Sequence, residues 1–307
     1  MTERSAAVSS APTDLAVMRA LRRTVACHLD GELADRQQSA YSAAGCEVPE
    51  GEVDGLDADL RAGLSMLLEI KAIRPDALRG RGSVDDPWRR WLERWDERRQ
   101  EHRETLRRML GDVPAARRPA ARAPIRRDRV LAVLAGFAFD GQLAYELGAA
   151  LVDWVPQSEV VALRMMCADD RRYARFFRDM CAEAFELAPD TTARAVAVAL
   201  QRYLELRVTS RGRSDVGLLE GVPRDEHWHH QRIVLPVLGQ WRVLERNDLG
   251  SAGARARVTV TGLVEGFDEK LRAERAAVEA RRDREALRRE REVAFLARMG
   301  IVPEMAL

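Results

Sequence analysis

Apolar residues return every third or fourth position along most of this chain, and strict two-residue alternation is nearly absent. The pattern predicts helices. Residues 13–29 form a first amphipathic segment after Pro12, with Thr13 as its cap candidate. A loop rich in Gly and acidic residues, Gly45 to Gly55, follows. Leu56, Leu60, Leu64, Leu67 and Leu68 then recur at helical spacing up to Pro75, and Gly80–Gly82 breaks the chain. Ser83-Val84-Asp85-Asp86-Pro87 is a helix start, because Asp can accept from the free N–H groups and Pro suits the first turn. The helix it opens carries Trp88, Trp91 and Trp95 on one stripe and runs to about Leu110.

Residues 111–124 hold three prolines and read as a linker within the domain. Long helices are expected over 125–152 and 156–188, parted by Pro156, and over 190–207, capped by Asp190 with Thr191 and Thr192 beside it. Residues 208–223 are loop-like, 224–246 resume the helix despite Pro236, and Gly250 to Gly253 marks another break before 254–275. The segment 276–298 is dense in Arg and Glu at i, i+4 spacing, the pattern of a solvated helix or one packed on a partner subunit. Long helices with short connections predict an all-α bundle with additional C-terminal helices. Residues 1–12 read as a disordered tail, 13–275 as the domain and 276–307 as a charged helix and tail.

Composition narrows the function. Of 307 residues 46% are apolar, enough for a sizeable core, and 50 Lys and Arg balance 49 acidic residues for a net charge of +1. Nucleic-acid and membrane-surface proteins carry a basic excess that is missing here, so no nucleic-acid partner is expected. No secretory signal is evident. The longest apolar segment, Val130 to Val155, is broken by Asp140, Glu146 and Asp153, so no membrane span and a cytoplasmic location are expected. Cys27, Cys46, Cys167 and Cys181 show no CxxC spacing and are expected as buried free thiols.

Two stretches carry candidate chemistry. Glu226-His227-Trp228-His229, with Asp225 before it and His230 after, has the Glu-x-x-His spacing that puts both side chains on one helix face. No second Glu-x-x-His completes a metal site, so a surface helix start with His and Trp packing on a neighbour is the expectation. Asp169-Asp170 suggests a magnesium-binding carboxylate pair, but no third acid stands at 173. Phe176-Phe177 and the Trp stripe are expected in the core, and Arg117-Arg118 and Arg126-Arg127 at solvated helix ends or facing an acidic carrier.

Three segments also resemble one family. Trp88-Arg89-Arg90-Trp91-Leu92-Glu93-Arg94-Trp95-Asp96-Glu97 is similar to the Trp-rich helix of the acyl-carrier-protein desaturases, which leads into their first Glu-x-x-His. Cys167-Ala168-Asp169-Asp170-Arg171-Arg172-Tyr173-Ala174-Arg175-Phe176-Phe177 resembles their second, of the form Asp-Glu-x-x-His. Gly239-Gln240-Trp241-Arg242-Val243, with Leu249-Gly250-Ser251-Ala252-Gly253 following, resembles a later helical segment. The likeness runs in order from about residue 15 to 275. It implies a ferritin-like bundle, a homodimer and a two-iron centre that activates dioxygen. Reduced ferredoxin would supply electrons, and a hydrophobic channel would hold an acyl chain carried on acyl carrier protein.

Carried over by resemblance, the six ligand positions fall on Lys71, Arg99, His102, Asp140, Asp170 and Tyr173. Glu69, two residues from Lys71, projects from the other side of its helix. Only His102 is an unchanged ligand. The family's Glu at the Arg99 position belongs with those that bridge the two irons. Lys and Arg cannot ligate iron at neutral pH and would repel it at close range. The expectation is therefore a scaffold whose two metal cations are exchanged for Lys71 and Arg99 beside Asp140 and Asp170, with His102 and Tyr173 as hydrogen-bond partners and no metal cofactor. Removing one member would leave a buried charge unpaired, at a cost of about 3–5 kcal/mol. The alternative is an active oxidoreductase whose iron would be held by His102, Asp140 and Asp170, with Tyr173 or Glu101.

Overall fold

The computed structural model describes residues 14–29, 58–73, 78, 86–111, 130–208 and 226–298, which are helix, turn and loop with no strand among them. The helices are α1 (Asp14–Ala20), α2 (Ala58–Lys71), α3 (Pro87–Leu110), α4 (Val130–Leu151), α5 (Gln157–Leu187), α6 (Pro189–Tyr203), α7 (Glu226–His229), α8 (Leu235–Trp241) and α9 (Ser251–Arg298). Residues 22–29 resume helix after a turn at Leu21. The all-α expectation holds. The expected loops at 45–55, 80–82 and 208–223, the linker 111–124 with Arg117-Arg118, and Arg126-Arg127 lie almost wholly outside the described residues, as do Thr13, Pro75 and Cys46.

Helix α3 starts as its sequence demands. Asp86 takes an extended conformation, its carboxylate accepts from the Trp88 N–H at 3.1 Å, and Pro87 stands in the first turn. Burial of Trp88, Trp91 and Trp95 on one side follows from their spacing. Trp91 stacks on Phe176 of α5 with centroids 3.8 Å apart, and Trp95 meets Phe137 of α4 and Phe177 of α5 edge-on. The aromatic stripe is thus core packing that binds three helices.

Helix α4 lies in the middle of the bundle, packed on α2, α5 and α6. Its apolar residues run all round the axis, so it has no face to give to water. It is long and apolar enough to pass for a membrane span by length and composition alone, as a buried core helix can, and 67% of its apolar window is buried inside the protein. Small residues let α4 and α5 approach closely: a Cβ on Gly141 would come within 3.1 Å of the Ala174 Cα, and one on Gly148 within 2.7 Å of Cys167 Sγ.

Four further expectations need correction. The segment 224–246 is not one helix; α7 passes through a π-helical turn, His230–Val234, into α8, and ends at Trp241 before Arg242 at φ 51°. Pro236 lacks the N–H that a continuous helix would use, and the register shifts just ahead of it. Asp190 does not cap α6, which starts after Ala188; its carboxylate accepts instead from the Gly250 N–H at 2.7 Å, tying α6 to the start of α9. The helices read as 254–275 and 276–298 are one continuous α9. Cys27 is exposed, whereas Cys167 and Cys181 are buried free thiols, as expected.

The chain divides into two compact units, Met1–Thr261 and Gly262–Leu307. The first holds the bundle. In the second, every described side chain from 269 to 293 is exposed, in keeping with its charge-rich sequence.

Candidate functional site

Four helices converge on the positions singled out from the sequence. Lys71 is the last residue of α2, Arg99 and His102 stand a turn apart on α3, Asp140 is on α4, and Asp170 and Tyr173 are on α5. Lys71, Arg99, Asp140, Asp170 and Tyr173 line one cavity of ≈ 20 Å³, with Trp95, Phe137 and Phe177 among its other walls. That is room for about one water molecule. His102 joins the group through Lys71.

The polar contacts form a closed ring. Lys71, only 3% exposed, donates from Nζ to Asp170 Oδ1 and lies 3.2 Å from His102 Nδ1. His102 Nε2 lies 3.0 Å from Asp169 Oδ2. Asp169 precedes Asp170 in the chain, which closes the ring. An ammonium has no acceptor, so His102 accepts a hydrogen bond from Lys71 at Nδ1 and donates one to Asp169 from Nε2. Asp169 also accepts from Arg98 Nε at 2.8 Å and from Arg172 Nη2.

Arg99 does something different. Its Nε donates to the Lys71 carbonyl at 3.1 Å and its Nη2 to the Ile70 carbonyl at 2.6 Å. Those oxygens are among the four that a helix leaves without internal partners at its C-terminus. Arg99 therefore clamps the end of α2 while its guanidinium lies 4.6 Å from the centre of the Trp95 ring. The sequence reading had it among the carboxylates. Asp170 and Asp140 do favour its charge, while its hydrogen bonds go to the main chain at the end of α2.

Burial sets the charge states. It pushes the Lys71 ammonium below its ordinary value, against the opposing pull of Asp170. It takes the Arg99 guanidinium down to about 10, still charged at neutral pH. It also lowers the His102 imidazole, helped by the adjacent Lys71 charge, which keeps the ring neutral. Burial alone would raise the Asp169 carboxyl, but His102, Arg98 and Arg172 together hold it well below the usual carboxylate range.

The residues present do not fit two irons. His102 has its Nδ1 turned to an ammonium, and Asp170 is paired with that same ammonium. Arg99, at the position that the resemblance would give a bridging carboxylate, is a guanidinium bonded to main-chain oxygens. Among the described residues, no group of three or more His, Cys, Asp and Glu side chains is arranged to hold a metal ion. Glu69 and Glu101 are exposed, and Glu101 pairs with Arg98. Tyr173 is buried edge-on against Trp91 and Trp95.

The sequence offered Asp169 only as half of a magnesium-binding pair and missed its place in the cluster, as the acceptor at which His102, Arg98 and Arg172 meet. The signal was present: 166, 169, 170, 173 and 177 share the buried side of α5, so both acids of the pair face inward. The rival Glu226 to His230 cluster is also corrected, because His229 and His230 are buried instead of at the surface. Tyr203 and His229 form a buried pair, with the hydroxyl 2.7 Å from Nδ1.

No family model matches the chain. It is similar to "Putative acyl-[acyl-carrier-protein] desaturase DesA1" of Mycobacterium tuberculosis, strain CDC 1551 / Oshkosh, at 25% identity over 230 residues. The same protein of strain ATCC 25618 / H37Rv matches equally. The match covers 66% of this chain and 66% of the relative, just under two thirds of the relative's length. With its all-helical bundle, the chain is distantly similar to that putative acyl-carrier-protein desaturase.

Proposed function

We propose that this chain is a non-catalytic desaturase homologue, which keeps the helical scaffold without a di-iron centre and works by binding. One observation carries the reading: the buried Lys71 ammonium is bonded to both His102 and Asp170. A metal ion entering there would have to displace a cation already paired, and its approach would be opposed by Arg99 as well. Protonated Lys and Arg donate hydrogen bonds and offer no lone pair to a metal.

The partner proposed for the scaffold is an acyl carrier protein, after the class that the relatives' name states. Helix α5 exposes Arg164, Arg171, Arg172 and Arg175 along its outer side, and acidic carriers dock by charge complementarity. Binding measured by calorimetry should weaken steeply as salt rises; affinity unchanged by salt counts against this docking face.

Elemental analysis of protein expressed with added iron, and purified without an affinity tag, tests the absence of the metal centre. Substoichiometric iron is expected. About two irons per chain with a dioxygen-sensitive visible band would establish the active alternative. Lys71→Glu, Arg99→Glu and Tyr173→His in combination should then confer metal uptake on a chain that lacks it, if these are the former ligand positions.

A further inference from the structure

We infer that Lys71 is the resident cation of a seat built for one monovalent cation, and that a chain lacking its amine takes up a small primary ammonium ion there. The inference rests on the proposal that no di-iron centre occupies this site.

Three features of the seat belong to the surroundings and survive loss of the lysine. The first is orientation: Asp169 holds His102 through Nε2, so the imidazole lone pair at Nδ1 stays aimed at the ammonium position. A carboxylate that fixes the far nitrogen of a cation-facing histidine is the usual means of holding such a ring. The second is charge. Asp169 already faces Arg98 and Arg172, and Asp140 and Asp170 both act on Arg99. Asp169 is thus already taken by two cations that reach solvent, and Arg98 is shared with Glu101. At the ammonium position itself one carboxylate, Asp170, and one imidazole, His102, face inward, so a single positive charge matches the seat. A divalent ion would overshoot it. The third is position, because Lys71 ends α2, where the helix dipole favours a cation.

Space also fits. The cavity beside Lys71 is ≈ 20 Å³. Truncating the lysine to alanine would join its vacated side-chain volume to that cavity, giving room for an ion with one methyl group. Its walls of Trp95, Phe137 and Phe177 suit the methyl, while Asp170 and His102 accept from the ammonium.

The test compares thermal unfolding of Lys71→Ala in methylammonium chloride and in choline chloride at equal concentration. A saturable rise of several degrees with methylammonium is expected, with none from choline, which is too bulky. Wild type, and Lys71→Met whose side chain fills the space without charge, should not respond. A folded Lys71→Ala that responds to neither salt, or to both alike, overturns the inference. Nitrogen NMR of the wild-type His102 ring tests it without any variant: the Nε2–H tautomer with an accepting Nδ1 is expected at pH 7. A proton on Nδ1 overturns it. Stoichiometric iron in the wild type defeats the underlying proposal, whereas iron-free protein with an unresponsive Lys71→Ala defeats this inference alone.

Discussion

Asp169 and Asp170, neighbours on α5, accept hydrogen bonds from opposite ends of the Lys71–His102 pair: Asp170 from the ammonium, Asp169 from the imidazole. Two consecutive carboxylates thus close a buried ring across three helices. Each member is stable only because the others neutralise or satisfy it.

That interdependence predicts a non-additive mutant cycle. Asp170→Ala strands the Lys71 charge and should cost about 3–5 kcal/mol. Lys71→Met combined with Asp170→Leu removes both charges and should recover most of the loss. Urea unfolding followed by circular dichroism gives the free energies; losses that simply add would show that the pair is not coupled.

Arg99 should tolerate no conservative exchange. A lysine keeps the charge but not the fork that reaches two carbonyls at once. Arg99→Lys is expected to cost about 1–3 kcal/mol, as for a buried acceptor left unsatisfied. Hydrogen exchange should quicken in the last turn of α2 well before it changes in α5.

Acid should destabilise the protein from mildly acidic pH downward. His102 has its folded-state value lowered from 6.5, so the unfolded chain binds the proton first and stability falls as pH drops below about 6.5. Asp169 is also held low in the folded state; its contribution is full above the ordinary carboxylate value and is lost as pH falls further. Both act in the same direction. His102→Gln should flatten the upper part of this profile and leave the lower part.

Gly253 is a packing requirement. A Cβ there would lie 2.4 Å from Asp190 Oδ1 and 3.0 Å from its Cα. Gly253→Ala should cost about 1–3 kcal/mol. In an Asp190→Ala background the same change should cost less, because the carboxylate is gone; equal costs in both backgrounds would place the strain on the main chain instead.

Much of the architecture was legible because it is written in local terms. Periodicity placed α2, α3, α4 and α5 to within a few residues, and Asp86-Pro87 marked a helix start, since capping needs only the neighbouring N–H groups. Asp190 shows the limit of such reasoning. It stands where a cap would, yet its carboxylate has a better donor in Gly250, sixty residues on.

The sequence by itself determined that this is a helical bundle, and that Lys71 and Arg99 stand among the positions singled out by its resemblance to the desaturases. Residue type settles those points, since an ammonium or guanidinium cannot become a ligand through folding. Only the tertiary structure decided how the cations are used. Lys71 completes a ring with His102 and two aspartates, while Arg99, in the wall of the same cavity, gives its hydrogen bonds to the end of α2. A long charged side chain takes whichever buried acceptor is nearest and least satisfied, and that depends on where four separate helices come to rest.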